Sequence, residues 1–315
     1  MADKKILDTR KIFKTTAIVY AAIFAVGIIF TVIFGVKLDI NFSGGTRLSY
    51  TYDGDMDSDG ATAAVKSAVD RDFTVSQNTS IAGNTKTLTV SFAGNKSLDT
   101  ESQDKVLKNL QEKFPDNNVE LSATTSVNPT VAGTFMQKCI VAMLITAILV
   151  VIYVGIRFRK IGGISAAITA LAALVLDVLV SFFTCAIFRL QIDSNYIAVV
   201  LTILGYSLND TIVIYDRVRE NRRIYPGEEL QSLVDRSISS VLVRNIVTTV
   251  TTLAAVFTII LVSELFGLTS LRTFAIPMAF GLASGCFSSL FISGPLWVYW
   301  QNKKAAKEAE KKAKQ

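Results

Sequence analysis

Ile197-Ala198-Val199-Val200-Leu201-Thr202-Ile203-Leu204-Gly205-Tyr206-Ser207-Leu208-Asn209-Asp210-Thr211-Ile212-Val213-Ile214-Tyr215 is an apolar run with a carboxylate, Asp210, about two turns from its charged end. A helix of roughly 20 such residues crosses the hydrocarbon core of a bilayer. An ionisable side chain at that depth costs on the order of a few kcal/mol and is retained mainly where ion or proton traffic needs it. The stretch therefore sets the class of the whole chain, a helical integral membrane protein, and makes Asp210 the first candidate functional residue.

Composition agrees. Half of the 315 residues are hydrophobic and only 18% are charged, a balance typical of membrane proteins. The net charge of +6 sits in short segments flanking apolar runs, which is no signal for nucleic acid. Cys139, Cys185 and Cys286 all lie inside apolar runs, so neither a disulfide framework nor a thiolate metal site is expected. Histidine is absent, so proton chemistry must rest on carboxylates, hydroxyls, water, lysine and arginine. No phosphate-binding loop, metal cluster or nucleophile–base set is found. The expectation is a protein without catalysis, cofactor or metal.

Six apolar runs, about 13–36, 136–156, 161–188, 194–216, 238–262 and 271–300, each reach spanning length. The first is too long for a cleaved signal and reads as a retained anchor. Lys4, Lys5, Arg10, Lys11 and Lys14 precede it, and Arg157, Arg159 and Lys160 lie between runs two and three. Arg217, Arg219, Arg222 and Arg223 follow run four, and Lys303, Lys304, Lys307, Lys311, Lys312 and Lys314 fill the tail. The opposite short loops carry only Arg189 and Arg272. This alternation predicts both termini, 1–12 and 301–315, on the cytoplasmic side. Trp297, Tyr299 and Trp300 fit an interfacial aromatic belt. Residues 227–240 read as a short amphipathic helix on the inner surface, opened by Pro226-Gly227.

Residues 37–135 read as a soluble domain on the outer side. Arg47–Tyr52, Phe73–Gln77, Thr85–Phe92 and Val119–Val127 alternate as strands, while Ser58–Asp72 and Leu98–Phe114 have helical spacing. The order is β-α-β-β-α-β, that of a ferredoxin-like α+β domain.

Three charges fall inside the runs: Asp177, Asp210 and Arg244. Measured from Arg217 and Arg236 at about 1.5 Å per residue, Asp210 and Arg244 lie roughly 10 and 12 Å deep, level with one another. Asp177 lies about 24 Å from the inner side, too far out to pair with Arg244. Ser207, Asn209 and Thr211 surround Asp210 in sequence, and Thr248, Thr249, Thr251 and Thr252 follow Arg244. Burial disfavours a charged carboxylate and a guanidinium favours it, so the pair suits proton loading and release. A static pair locking two helices is the alternative. Asp177 fits either a functional role or a polar contact between helices. Gly281 and Gly285 form a GxxxG face beside Ser284, Ser288 and Ser289, read as close helix packing.

Leu204–Asn221, with its core Gly205-Tyr206-Ser207-Leu208-Asn209-Asp210-Thr211, closely resembles the fourth-helix signature of SecF subunits in the SecD/SecF family, within the resistance-nodulation-division superfamily. Asn41-Phe42-Ser43-Gly44-Gly45-Thr46 is similar to the Asp-Phe-x-Gly-Gly motif that opens the family's external domain, with Asn41 where the family often has Asp. Leu176 precedes Asp177 where many members have histidine. The resemblance implies a subunit of the bacterial plasma membrane that pairs with SecD and associates with the SecYEG channel. It would use the proton motive force to promote late translocation of unfolded exported polypeptides, after the SecA ATPase has driven them in. Asp210 and Arg244 would form the proton relay, supported by Ser207, Asn209, Thr211, Asp177 and Thr248, and Asn41, Phe42, Gly44 and Gly45 the external-domain motif. A scaffold role without proton coupling is the second reading. A small-molecule exporter is a third, disfavoured by the single modest outer domain.

Overall fold

Most of the apolar runs become helices longer than their hydrophobic stretches, because polar caps and flanking turns extend them; the third, at 25 residues over Gly163–Ile187, is the exception. The computed structural model of the chain describes residues 6–79, 86–94 and 97–313. Its elements are α1 (Thr9–Phe34), α2 (Ile40–Ser43), β1 (Gly45–Tyr52), α3 (Ser58–Ala68), β2 (Thr74–Thr79), β3 (Lys86–Ala93), α4 (Thr100–Lys113) and β4 (Glu120–Val127). There follow α5 (Pro129–Arg157), α6 (Gly163–Ile187), α7 (Ser194–Ile224), α8 (Leu230–Leu265), α9 (Thr269–Ser288), a π turn at Ser289–Ser293, and α10 (Gly294–Ala313). Among the described residues, six segments are long and apolar enough to cross a membrane: α1, α5, α6, α7, α8, and α9 running through to α10. Lys4, Lys5, Thr85 and Lys314 lie outside the described residues.

Side-chain caps set several helix starts. Asp8, Asp57, Asp99, Asn128 and Asp193 each accept a backbone N–H from the first turn of α1, α3, α4, α5 and α7, satisfying donors that the helix leaves unpaired.

Between α1 and α5 the sheet has strand order β2-β3-β1-β4, with every neighbouring pair antiparallel. One face buries Leu48, Tyr50, Leu88, Val90 and Phe92 against Ala61 and Val65 of α3 and Val106 and Leu110 of α4. Gly44 and Gly45 turn the chain from α2 into β1 with φ of +77° and +124°. A Cβ on Gly45 would sit 2.0 Å from the Phe92 carbonyl oxygen, so only glycine lets β1 meet β3 there. Phe42 is buried against the Phe135 ring. Asn41 donates to Asp39 (2.8 Å), and Asp39 pairs with Arg47. The insert is tied to the helices by backbone bonds between Lys37–Asp39 and Ile192, and by Thr269 Oγ1 donating to the Gln77 carbonyl.

Three expectations are corrected. Residues 227–240 do not form a separate surface helix. From Leu230 they are the start of the 36-residue α8, and Gln231, Val234 and Asp235 are buried. Asp235 there accepts from Thr9 Oγ1 at 2.5 Å, so a polar segment is taken up by packing on the start of α1. Trp297 is no belt residue. It is fully buried beside Tyr215, while Tyr299 and Trp300 are exposed. Finally, α7 runs two turns past Arg217 to Ile224, which changes the depth of everything upstream.

Candidate functional site

Three contacts fix how α7 lies against α8. Tyr206 OH is 3.1 Å from Thr252 Oγ1, Arg217 Nε donates to Ser240 Oγ at 2.9 Å, and Asn221 Nδ2 donates to Ser237 Oγ at 2.8 Å. These pairs define one antiparallel register, which sets Asp210 opposite Thr248 and Arg244 opposite Ile214. Arg244 is thus one helical turn, about 6 Å, nearer the helix ends that carry the arginine cluster than Asp210. The expectation that the two are level is corrected accordingly. They make no ion pair among the described residues, and the guanidinium acts on the carboxyl from farther away. Arg244 instead is exposed and lines a cleft of about 840 Å³ with Val213, Asp216, Arg217 and Arg223.

Asp210 itself is 3% exposed, and its Oδ2 has no hydrogen-bond partner among the described residues. On the facing stripe of α8, Asn245 Nδ2 is likewise buried without a partner, and Thr249 is buried within reach of Cys286 on α9. Buried polar groups normally have partners, and orphans mark strained or functional places. The sequence reading passed over Asn245. Its adjacency to Arg244 was the available signal, and helix phase turns it inward while Arg244 and Thr248 face out. Thr248 and Asn209 are exposed, and the Thr248 hydroxyl donates back to the Arg244 and Asn245 carbonyls.

Of the hydroxyls expected around Asp210, Ser207 serves Asp177 instead. Asp177 is fully buried. It accepts three hydroxyl bonds, from Ser207 (2.6 Å) on α7 and from Ser284 (2.6 Å) and Ser288 (2.9 Å) on α9. Thr211 reaches Ser289 at 2.9 Å rather than Asp210. Ser284 Oγ also lies 2.8 Å from Tyr20 OH on α1. Asp177 stands fourteen residues from Gly163 at the start of α6, and Asp210 fourteen from Ile224 at the end of α7, about 21 Å along each helix. The expected large difference in depth is therefore corrected. It arose from taking Arg217 as the inner boundary of a helix that continues to Ile224.

The GxxxG face explains the meeting. A Cβ on Gly281 would lie 2.2 Å from Ile203 Cδ1, and one on Gly285 would lie 3.0 Å from Ser207 Cβ. The missing side chains let α9 approach α7 until Ser284 and Ser288 reach Asp177. Past Ser288 the helix loosens into the π turn ahead of Pro295, whose missing N–H breaks the regular ladder there.

The fold and these buried groups define a multi-pass helical membrane protein with two carboxylates inside its bundle. The model of the family described as "Protein export membrane protein SecD/SecF, C-terminal" matches residues 105–303. A protein translocase subunit SecF from Sebaldella termitidis is 30% identical over 315 residues, covering 99% of this chain and 96% of that one. A second, from Alicyclobacillus acidocaldarius, is 38% identical over 197 residues, which is 62% of this chain and 61% of that relative. A crystal structure of SecDF in a super-membrane-facing form aligns with a TM-score of 0.67 at 25% identity, covering 96% of this chain but 39% of that one. The chain belongs to the SecD/SecF family of protein-export membrane proteins, among its SecF members.

Proposed function

We propose that this chain is a proton-coupled subunit of the Sec protein-export machinery, working with SecD at the bacterial plasma membrane. The observation that carries the reading is the Oδ2 of Asp210, buried in mid-span without a hydrogen-bond partner among the described residues. A carboxylate fixed only to lock helices would be expected to spend both oxygens on fixed donors. One left open retains capacity to take up and give off a proton. Arg244, within electrostatic reach of Asp210 and in contact with the inner cleft, is assigned as the group whose movement favours the charged or the neutral carboxyl. Asn209 and Thr248, exposed on the two facing helices, take the supporting places, while Ser207 and Thr211 belong to the cluster around Asp177.

SecD is proposed as the partner because Asn209, Arg244, Thr248 and Thr251 are exposed along the spans. Hydrocarbon does not solvate such a stripe, whereas a second helical bundle does. The chain also spans only 37% of the length of the SecDF of Bacillus subtilis, to which it is 32% identical. By the distribution of Lys and Arg both termini are assigned to the cytoplasm and the insert to the outside. The insert's split β-α-β order is assigned to the ferredoxin-like class. There it would meet the emerging unfolded polypeptide delivered through SecYEG by SecA, with Asn41, Phe42, Gly44 and Gly45 holding its entry turn to the bundle. Protons are the coupling ion, and no cofactor or nucleic acid is involved.

The test is export into vesicles containing the channel, SecD and this chain under an imposed proton gradient. Asp210→Asn should remove the gradient-dependent part of export while assembly is retained. Unchanged gradient-dependent export would leave only the scaffold role.

A further inference from the structure

The hydroxyl cluster beyond Asp177 has no use in a relay confined to Asp210 and Arg244. Serines and threonines in membrane helices commonly donate to their own i−4 carbonyl and need no other partner. Ser165 and Thr169 donate to the carbonyls of Gly162 and Ser165 here, but their oxygens and the other hydroxyls also reach across helices. Ser207 Oγ lies 3.4 Å from Ser289 Oγ, which lies 2.9 Å from Thr211 Oγ1. One turn farther toward the inner end, Tyr215 OH is 2.8 Å from both Ser293 Oγ and Thr169 Oγ1. Beyond these, Gln301 Nε2 donates to Ser165 Oγ at 2.9 Å. Ser207, Thr211 and Tyr215 are spaced by four along α7, Asp177, Thr169 and Ser165 by multiples of four along α6, and Ser289 and Ser293 by four across the π turn. All lie on facing stripes between α6, α7 and the α9–α10 segment. Tyr215, Thr169, Thr211, Ser289 and Ser293 are buried.

We propose that Asp177 is a second proton-exchanging carboxylate, reached from the inner end of the bundle through this file of hydroxyls. The inference rests on the proton-coupled reading of the bundle. A hydroxyl donates and accepts at once, so a row of them passes a proton without any member becoming charged for long. The proton comes from hydronium in the inner aqueous phase. Each hydroxyl bonds the incoming proton as it gives up its own. Ser207 transfers its hydrogen to Asp177 Oδ2 and takes one from Ser289. The net change is one proton moved and one carboxylate made a neutral carboxyl, and release reverses each step. The Thr211–Ser289 and Tyr215–Ser293 sets stand one turn apart, about 5–6 Å between Cβ atoms on a helix face, a gap that no direct hydrogen bond closes and that the transfer must cross by one water.

The cradle also gives the event a direction in the fold. Ser284 binds Asp177 on one side and Tyr20 of α1 on the other, and α1 leads into the insert. Protonation removes the carboxylate that the three serines share. Ser284 is then free to be held by Tyr20 alone. The titratable groups facing the site are Tyr20 from α1 and Asp210, one turn along α7 from Ser207. From α9 comes Cys286, which lies within electrostatic reach of both carboxylates. None of these is a fixed cation.

The experiment is infrared difference spectroscopy of the full chain in lipid bilayers, cycled between acidic and alkaline buffer, in H2O and D2O. The expected result is a buried-carboxyl C=O signal with two components, one lost in Asp177→Asn and the other in Asp210→Asn. If the Asp177→Asn spectrum keeps the whole signal, the proposal is overturned. Should that variant fail to fold, Ser207→Ala keeps the carboxyl and cuts the file. The expected result is then a slower rise of the same component after a pH jump, and an unchanged rise overturns the proposal. A signal lost in Asp177→Asn but not in Asp210→Asn would sustain this inference while removing the carrier assigned for export.

Discussion

Gly281→Ala measures how closely α9 is set against α7. The new methyl would lie 2.2 Å from Cδ1 and 2.9 Å from Cγ1 of Ile203, well inside the 3.5–4.0 Å at which carbons attract. Ile203 is fully buried, so it has no open side to swing toward. Overpacking of this kind costs about 1–3 kcal/mol. Alanine recovers up to about 1 kcal/mol over glycine through helix propensity. The net expectation is a loss of about 0.5–2 kcal/mol. Ile203→Val removes Cδ1, the atom in the collision, and alone costs about 0.5–1.5 kcal/mol. In the Ile203→Val background the alanine should therefore cost less, with a coupling of about 1 kcal/mol between the sites. Reversible unfolding of the four proteins in mixed micelles gives all the terms of this cycle. Additivity within about 0.5 kcal/mol would refute the packing argument, and with it the explanation of how Ser284 and Ser288 reach Asp177.

Other substitutions separate the remaining parts. Gly45→Ala combines a φ of +124° with a Cβ 2.0 Å from a backbone oxygen of β3; the insert should lose its protection from limited proteolysis while the helices keep theirs. Asp99 caps α4 and accepts from the Ser102 hydroxyl and N–H, which hold its carboxyl below the usual range. Its contribution to the insert should be fully present above the ordinary Asp pKa and lost as pH falls through the lowered value, so Asp99→Ala should lower the thermal midpoint at neutral pH and much less in strong acid. Trp297→Ala should cost about 3–5 kcal/mol. Before substitution, acrylamide should quench Trp300 far more than Trp297. A cysteine at Asn209 should cross-link to SecD and not react with a lipid-phase probe, if the exposed polar stripe faces a second bundle.

Much of the architecture was legible because its causes are local. Twenty apolar residues read as a span wherever they stand, and the alternation in Thr87–Phe92 or the periodicity through Val106 and Leu110 needs no tertiary context. What was not legible depends on where helices end and how they turn. Arg217 reads as a membrane boundary, yet α7 carries it two turns before its end, and a depth scale built on it sets Asp210 too shallow. Ser207 is three residues from Asp210 and was assigned to it. Its rotation about α7 gives it to Asp177 across the helix gap. Asn245 and Thr249 look no different in sequence from Arg244 and Thr248. Only the α7–α8 register separates the inward pair from the outward one. The serines after Gly281 read as spacers for packing. They are spacers and ligands at once, because the close approach that small residues allow is what delivers their hydroxyls to the carboxylate.

The proposed role of Asp210 is to carry protons during export. Proton flux decides it, recorded by a pH-sensitive dye inside vesicles that hold SecYEG, SecD and this chain while SecA drives a substrate across. The expected result is substrate-dependent proton movement that disappears in Asp210→Asn, with the complex intact. Equal proton movement in the wild type and in Asp210→Asn would contradict it.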